Sequence, residues 1–246
     1  MKTFALLGKS LSHSFSKKYF DDKFKKEELD KYNYINIETD NIKNIKEIIK
    51  NYNLNGFNVT NPYKKDIIKY LDKIDNTAKE INSVNTVKIL NNKLFGYNTD
   101  LYGFKQSFLP LIKKRKKALI LGNGGVSKTI QYVLKSLNIK IKIISRNDKI
   151  KYSDLTKEIM NNHLIIINCT PLGTFPNIEE YPKIPYKHLN KKHLLYDVVY
   201  NPEETKFLKL GKKYKSEIKN GLQMLEIQAE ESWKIWNSQN ITCNLN

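Results

Sequence analysis

Short apolar runs alternate along the chain with segments whose apolar residues recur at helical spacing. The runs at residues 4–7, 34–37 and 56–59 each predict a strand, and the segment 42–52 carries isoleucines three and four residues apart, as an amphipathic helix does. Pro62 follows the third run and predicts the start of another helix, because the first turn of a helix leaves its N–H groups unbonded. Strands that alternate with helices favour a parallel sheet covered by helices.

The same alternation restarts after the basic segment 113–117. Strands are predicted at the apolar runs 118–121, 139–144, 163–167 and 194–199, with a helix after the first of them. The segment between Pro171 and Pro185 holds four prolines and is predicted to be a loop. We therefore predict an α/β protein of two α/β domains, joined near residues 101–116.

A glycine-rich turn links the first strand of the second half to its helix. Gly122 would allow a tight turn, and Gly124 would let the backbone approach a pyrophosphate held at the helix N-terminus. Ser127 stands where the usual fingerprint has its third glycine, and it is small enough for close packing of helix on sheet. The turn predicts a dinucleotide site, and a purely structural turn is the alternative.

The end of the next strand bears on the choice of dinucleotide. An NAD site places Asp or Glu there to bind the ribose hydroxyls, whereas an arginine accommodates the 2′-phosphate of NADP. This chain has Arg146 there, with Lys149 and Lys151 close by and Asp148 as a contrary sign. The residues favour NADP, and an ordinary surface arginine is the alternative.

Polar residues follow the predicted strands of the first half. Ser14 and Ser16 stand where a helix begins, so they are either N-caps or, with the helix N-terminus, ligands of a carboxylate. Thr60 and Lys64 follow the third strand, at the sheet edge where ligands collect. Two Asn-Thr pairs within residues 85–99 are consistent with turn chemistry alone.

The formal net charge of +18 over 246 residues raises the question of nucleic-acid binding. Of the 43 basic residues, 41 are lysine, and only Arg115 and Arg146 are arginine. The chain also has 29 asparagines but four alanines, a bias that A/T-rich codons explain without any partner. Because nucleic-acid binders favour arginine and cluster their charge, we expect no nucleic-acid partner and interpret the segment 113–117 as a solvated linker.

Other classes are disfavoured by what the sequence lacks. No apolar stretch approaches the length of a membrane span, and the start of the chain does not resemble a signal peptide. Cys169 and Cys243 do not form a disulfide framework, which fits a cytoplasmic location. We expect no metal, because the histidines, which are His13, His163, His188 and His193, show no metal-binding spacing.

Eight stretches match one known family in order and spacing. They are 8–16, 56–64, 84–86, 96–100, 122–125, 168–173, 196–202 and 220–229. Together they resemble the shikimate dehydrogenases, from about residue 4 to residue 236. The resemblance implies NADPH-dependent reduction of 3-dehydroshikimate to shikimate in the shikimate pathway of aromatic amino acid biosynthesis.

The resemblance also implies a domain arrangement. A substrate-binding domain with a mainly parallel sheet would span residues 1–101 and be completed by the C-terminal helix 222–246. A Rossmann-like NADP-binding domain would span residues 102–221, with the active-site cleft between the two domains. The sequence leaves open whether the protein is a monomer or a homodimer.

The resemblance assigns Lys64 and Asp100 as the catalytic pair. Hydride delivery to a carbonyl leaves oxyanion character, which an ammonium held by a carboxylate can stabilise and protonate. Both residues would also bind substrate, together with Ser14, Ser16, Thr60, Asn85, Tyr200 and Gln228. The residues implied to bind the cofactor are Gly122, Asn123, Gly124, Gly125, Ser145, Arg146, Lys149, Thr170, Val198, Gly221 and Met224.

Gln228 is also supported by the helical pattern around it. It lies on the inward stripe of an amphipathic helix, where an amide without a partner would be costly, and a structural partner is the alternative to substrate binding. Elsewhere the chain departs from the family: Ser10 and Lys17 replace frequent prolines, Asn123 replaces an alanine, and Ser145 replaces an asparagine that offers a 2′-phosphate contact.

Two other functions remain open at this point. One is a dehydrogenase that accepts quinate as well as shikimate, with relaxed or NAD cofactor use. The other is a ligand sensor without catalysis, which the presence of both Lys64 and Asp100 disfavours.

Overall fold

The computed structural model describes residues 1–11, 14–145 and 150–238. The expectations for His13, Arg146, Asp148, Lys149 and Cys243 concern residues outside these ranges. The chain divides into two compact units, the first comprising Met1–Tyr102 with Gln228–Asn246 and the second Gly103–Ile227. Within the described part, no helix is long and apolar enough to cross a membrane.

The first unit is built on a six-stranded sheet. Its strands are β1 (Lys2–Gly8), β2 (Tyr32–Glu38), β3 (Leu54–Val59), β4 (Lys73–Ile74), β5 (Thr86–Leu90) and β6 (Lys93–Tyr97), in the order β2-β1-β3-β5-β6-β4. Its helices include α1 (Phe15–Lys26), α2 (Ile45–Asn51) and α3 (Asn76–Ile81). Strand β1 is parallel to β2 and β3, and β4 is parallel to β6, whereas β5 is antiparallel to both of its neighbours. The sheet is therefore mixed, with parallel pairs in the majority.

The antiparallel part of this sheet comes from a tight hairpin between β5 and β6. Asn91 and Asn92 form the loop, with φ of +51° and +58°. Asparagine tolerates this left-handed backbone, which a two-residue turn needs in order to match the twist of the strands. The Asn-Asn pair turns the chain back at Leu90 and Lys93, which pair across the hairpin.

The prediction of a helix starting at Pro62 is wrong. Residues 61–65 form turns, and a 3-10 helix follows at Asp66–Tyr70. In an α-helix the carbonyl of Lys64 would accept from the N–H of Ile68, but here it accepts from the N–H of Val84 at 2.8 Å. The N–H of Ile68 bonds instead to Lys65, three residues back. A neighbouring segment thus takes the carbonyl that an α-helix would have used.

Side chains of β1 alternate between two cores. Ala5 and Leu7 point into a cluster with Phe57 and Val59 on one face of the sheet. Phe4 and Leu6 point into an aromatic cluster on the other face, with Phe20, Tyr34, Trp233 and Trp236 among its members. This period of two is what a strand buried on both faces requires.

The two tryptophans lie on α8 (Leu222–Asn237), the long helix near the end of the chain. Trp236 stacks on Phe4 with ring centroids 4.5 Å apart, and its Nε1 donates to the carbonyl of Val87 at 3.0 Å. Gly56 makes room for the indole, because a Cβ there would lie 2.6 Å from Trp236 Cδ1. The first unit is thus closed by residues from the far end of the chain.

The second unit holds a five-stranded, fully parallel sheet. Its strands are β7 (Lys117–Leu121), β8 (Lys140–Ile144), β9 (Ile165–Asn168), β10 (Leu194–Asp197) and β11 (Glu217–Lys219), in the order β11-β10-β9-β7-β8. Its helices are α5 (Gly125–Ser136), α6 (Lys157–Asn162) and α7 (Lys206–Lys213), and α4 (Thr99–Phe108) begins in the first unit and ends in this one. This is a Rossmann-like arrangement, in which β7 lies between β8 and β9 and is followed by the helix α5.

The interpretation of segment 113–117 as a solvated linker is wrong for one of its residues. Its four lysines are exposed, but Arg115 is buried. The guanidinium donates to the carbonyls of Leu111 and Lys192, each at 2.7 Å, and to Glu217 at 2.9 Å. A planar group with five N–H donors can satisfy several acceptors at once, which a lysine cannot do.

Candidate active site

The structure brings Lys64 and Asp100 into direct contact. The Nζ of Lys64 lies 2.7 Å from Oδ2 of Asp100, and the side chains are 20% and 12% exposed. The other carboxylate oxygen, Oδ1, accepts from Nδ2 of Asn85 at 3.0 Å. Both oxygens of Asp100 are therefore held, while the ammonium remains partly open to solvent. An ammonium fixed in this way can donate a proton to an oxygen placed beside it.

Backbone bonds between loops position this pair. The N–H of Val84 bonds to the carbonyl of Lys64, and the N–H of Asn85 bonds to the carbonyl of Tyr97 at 3.0 Å. The turn after β3 is thus tied to the segment before β5, which is tied in turn to the end of β6. Asp100 follows directly, as the second residue of α4.

Two buried carboxamides lie beside the pair. Oδ1 of Asn85 accepts from the backbone N–H of Thr99 at 2.7 Å, which turns Nδ2 toward Asp100. Oε1 of Gln228 lies 3.3 Å from both Nδ2 of Asn85 and Oγ1 of Thr99. The side chain of Gln228 therefore has structural partners, which was the alternative to substrate binding. These partners, Asn85 and Thr99, are themselves part of the candidate site.

The serines and Thr60 lie in the same unit. Ser14 immediately precedes α1 but makes no side-chain cap bond, so its hydroxyl is not used as an N-cap. Ser16 is half-buried. Thr60 is half-buried at the end of β3, where its N–H bonds to the carbonyl of Leu7 at 2.9 Å.

The glycine turn of the second unit has the geometry that a diphosphate needs. Gly122 has φ of +98°, and a Cβ there would lie 2.8 Å from Cγ2 of Thr170. Gly124 is the N-cap of α5, and a Cβ on Gly124 or Gly125 would meet nothing within 4 Å. Open space thus faces N–H groups at the start of a twelve-residue helix. These residues fit a phosphate-bearing dinucleotide.

Two further residues of this turn, Ser127 and Asn123, both lie near the side chain of Gln131. Ser127 is fully buried, and its hydroxyl is 3.1 Å from Nε2 of Gln131. Asn123 is exposed, with its Oδ1 3.5 Å from the same Nε2. Ser145 is half-buried just after β8, and Arg146 lies outside the described residues. The assignment of the 2′-phosphate contact therefore rests on the sequence.

Of the other residues expected to bind the cofactor, Thr170, Val198 and Gly221 lie on loops of the second unit, and Met224 lies in the first turn of α8. Gly221 is required by a close approach, because a Cβ there would lie 2.2 Å from the carbonyl oxygen of Val198. Oγ1 of Thr170 bonds Oδ1 of Asn168 at 2.6 Å, and Met224 is buried. Tyr200 is half-buried and belongs to this unit, whereas the other predicted substrate residues belong to the first.

Sequence reasoning missed the role of Asp197, a fully buried carboxylic acid at the end of β10. Burial raises its pKa to about 7, although hydrogen bonds from Thr205, Val199 and Asn168 act in the opposite direction. Asp197 lies inside one of the family-like stretches, at the end of an apolar strand, and that position was the available signal. Its bonds join the ends of β9 and β10 to the start of α7.

Cys169 is buried, and burial raises the pKa of its thiol, as expected for a packed residue rather than a nucleophile. In the described ranges, no group of three or more His, Cys, Asp or Glu side chains is arranged to hold a metal ion.

A Rossmann-like sheet with a diphosphate-type turn and a unit carrying a lysine–carboxylate pair together define a nicotinamide-dependent oxidoreductase. Residues 6–87 match the family model described as the shikimate dehydrogenase substrate binding domain. The chain is 40% identical to a shikimate dehydrogenase (NADP(+)) from Methanococcus vannielii, with 94% of this chain and 89% of the relative covered. The chain belongs to the shikimate dehydrogenase family.

Solved structures agree with this membership. Shikimate dehydrogenase 1 from Peptoclostridium difficile is 35% identical, with a TM-score of 0.85 over 98% of this chain and 93% of that one. A shikimate dehydrogenase in complex with NADP+ is 32% identical, with a TM-score of 0.84 over 96% of this chain and 90% of that one.

Proposed function

We propose that this chain catalyses the reversible reduction of 3-dehydroshikimate to shikimate with NADPH, a step of the shikimate pathway. The observation that carries the proposal is the contact between Lys64 and Asp100 in a member of this family. A sensor without catalysis would have no need for such a pair.

In the reductive direction, we assign Lys64 as the proton donor. Its Nζ would donate to the substrate carbonyl oxygen as charge develops there, so that the ketone becomes a hydroxyl. In the oxidative direction the neutral amine would take the proton back. Asp100 holds the ammonium through Oδ2 and would bind a ring hydroxyl. The cofactor, when bound, supplies or accepts the hydride at the substrate carbon.

The substrate's carboxylate and hydroxyls would be bound by short polar side chains. We assign Ser14 and Ser16 to the carboxylate. Two observations support this: both lie at the start of α1, and the hydroxyl of Ser14 makes no cap bond to that helix. The other residues assigned to the substrate are Thr60, Asn85, Tyr200 and Gln228.

NADP would be held by the second unit. The backbone N–H groups at Gly124 and Gly125 would take the diphosphate, and Arg146 with Lys149 would take the 2′-phosphate. The other residues assigned to the cofactor are Gly122, Asn123, Ser145, Thr170, Val198, Gly221 and Met224. We assign residues 1–101 with 222–246 as the substrate domain and 102–221 as the NADP domain, in a cytoplasmic monomer or homodimer.

The experiment is NADP+ reduction with shikimate, run beside quinate and NAD+. We expect the highest kcat/KM with shikimate and NADP+. Higher kcat/KM with NAD+ or with quinate would instead favour the enzyme of relaxed specificity. Binding of shikimate without turnover under any condition would favour the sensor.

A further inference from the structure

Three buried hydroxyls meet beneath the candidate site of the first unit. Thr86 begins β5, Thr99 begins α4 and Ser232 lies on α8. Their oxygens form a triangle with sides of 3.1, 2.9 and 3.1 Å, and none of the three residues is more than 1% exposed. We call these residues the hydroxyl triangle. A buried hydroxyl is costly unless it is bonded, so three in contact indicate a built network.

The hydroxyl triangle contacts both carboxamides of the site. Oγ1 of Thr99 is 3.0 Å from Nδ2 of Asn85 and 3.3 Å from Oε1 of Gln228. Oγ of Ser232 donates to the backbone carbonyl of Gln228, one turn earlier on α8, at 2.9 Å. The triangle thus joins Asn85, which contacts Asp100, to Gln228.

Asn58 supplies hydrogens to the hydroxyl triangle from behind. Its Oδ1 accepts from the hydroxyl of Tyr34 at 2.9 Å, which fixes the orientation of the carboxamide. Its Nδ2 therefore faces Thr86 and Ser232, each at 3.0 Å. Because hydrogens arrive from this side, the hydroxyl protons of Thr86 and Thr99 are free to point forward, to the oxygens of the site's carboxamides, while that of Ser232 goes to the backbone carbonyl of Gln228.

Those oxygens are held inward. Oδ1 of Asn85 accepts from the N–H of Thr99, and both threonine hydroxyls lie 3.3 Å from it. Oε1 of Gln228 accepts from Thr99 as well. With the oxygens occupied, the NH₂ group of Asn85 faces Asp100, and that of Gln228 is the end left to donate to a substrate oxygen.

We propose that Thr86, Thr99 and Ser232 are positioning residues of this active site, which present Asn85 and Gln228 as hydrogen-bond donors. This inference rests on the proposed function. Loss of the triangle lets the carboxamides rotate, and Asp100 then loses the donor at Oδ1 that orients it against Lys64. A misplacement of this kind lowers the rate without removing a group that touches the substrate.

A matched pair at Thr99 tests the hydroxyl at nearly constant volume. Thr99→Val replaces the hydroxyl by a methyl, whereas Thr99→Ser keeps the hydroxyl and removes the methyl. We expect kcat/KM for shikimate to fall about 30-fold or more in Thr99→Val and to stay within about threefold of wild type in Thr99→Ser. KM for NADP+ should change less than about twofold in both variants, because the hydroxyl triangle lies in the other unit.

A second pair separates positioning from stability. Ser232→Ala and Ser107→Ala each remove one buried hydroxyl, and that of Ser107 bonds the hydroxyl of Tyr196 at 2.7 Å within the second unit. Both variants should melt at a lower temperature, because each leaves buried partners unsatisfied. Only Ser232→Ala should lose kcat/KM for shikimate, by about tenfold or more.

The proposal is overturned if Thr99→Val and Ser232→Ala fold, as circular dichroism reports, and keep wild-type kcat/KM. It is equally overturned if Thr99→Ser or Ser107→Ala loses as much kcat/KM as its partner variant. If one test variant does not fold, the other decides the question, and Thr86→Val against Thr86→Ser provides a third comparison. Failure of the wild type to oxidise shikimate would instead overturn the proposed function.

Discussion

At the scale of the residue, the site depends on which atoms are already bonded. Lys64 and Asp100 hold each other, Asn85 holds the second oxygen of Asp100, and a backbone N–H fixes the orientation of Asn85. Each polar group is oriented by a partner that can act only as donor or only as acceptor. The pair is therefore set before any substrate arrives, which favours preorganised proton transfer.

Lys64→Ala should lower kcat by about 10²- to 10⁴-fold, the range expected on removing a general acid. Affinity for NADP+ should stay near wild type, because the cofactor residues lie in the second unit. Steady-state kinetics and calorimetric titration with NADP+ measure the two quantities. Near-normal turnover in this variant would contradict the assignment of Lys64.

Asp197 should make stability depend on pH. Its pKa is raised by burial to about 7, against 3.8 for an ordinary aspartate, so the folded chain keeps a proton that the unfolded chain has released. This stabilisation is complete below the unfolded pKa and is lost as pH rises through about 7. Asp197→Asn removes the titration and keeps the acceptor oxygen.

The free energy of unfolding of Asp197→Asn, relative to wild type, should therefore rise by about 2–3 kcal/mol between about pH 5 and about pH 8. Urea titrations of both proteins at the two pH values measure this difference, and other titrating groups cancel in it. A difference that does not vary with pH would show that Asp197 is ionised throughout.

At the scale of the element, the sequence predicted most strands and the glycine turn because their signals are local. Apolar runs such as 118–121 and the Gly122 turn carry their structure within a few residues. The helix expected at Pro62 failed because the carbonyl of Lys64 bonds to a residue twenty positions away, and such partners leave no local pattern.

The residues of the candidate site also divide into those that the sequence predicted and those that depend on distant partners. Lys64 and Asp100 were found because they lie in family-like stretches, and their contact agrees with the pairing expected from the sequence. Ser232 was missed because a small polar residue on an amphipathic helix gives no signal until its partners are known. Its partners Asn58 and Thr86 lie on β3 and β5, far from α8 in the sequence, and only the folded chain brings them together.

Two glycines allow ligand binding to be separated from packing. Gly124 has open space around it, so Gly124→Ala should leave the melting temperature within about 1–2 °C of wild type. Its new methyl would stand where the diphosphate is expected, so KM for NADP+ should rise about tenfold or more.

Gly56→Ala is the control. Its methyl would press on the indole of Trp236, so the free energy of unfolding should fall by about 1–3 kcal/mol, while KM for NADP+ should not change. Thermal melting and steady-state kinetics measure both variants. Loss of stability without loss of NADP+ affinity in Gly124→Ala would contradict the proposed diphosphate site.

At the scale of the whole molecule, the charge of +18 is carried almost entirely by lysine. A positive potential around the protein should draw in an anionic substrate and a phosphate-rich cofactor, and salt should weaken this attraction. Raising NaCl from about 0.05 M to about 0.5 M should increase KM for NADP+ severalfold with little change in kcat. Steady-state kinetics in a salt series test this, and a KM independent of salt would show that the charge has no role in binding.

The fold also determines the order in which the two units can complete their cores during synthesis. The first unit needs Trp233 and Trp236 to fill the aromatic cluster around Phe4 and Phe20, and these residues come after the whole second unit. On the ribosome, residues 1–102 must therefore wait, with part of their core uncovered, until Trp236 has been synthesised. Of the two units, the one whose synthesis starts earlier is thus the later to complete its core.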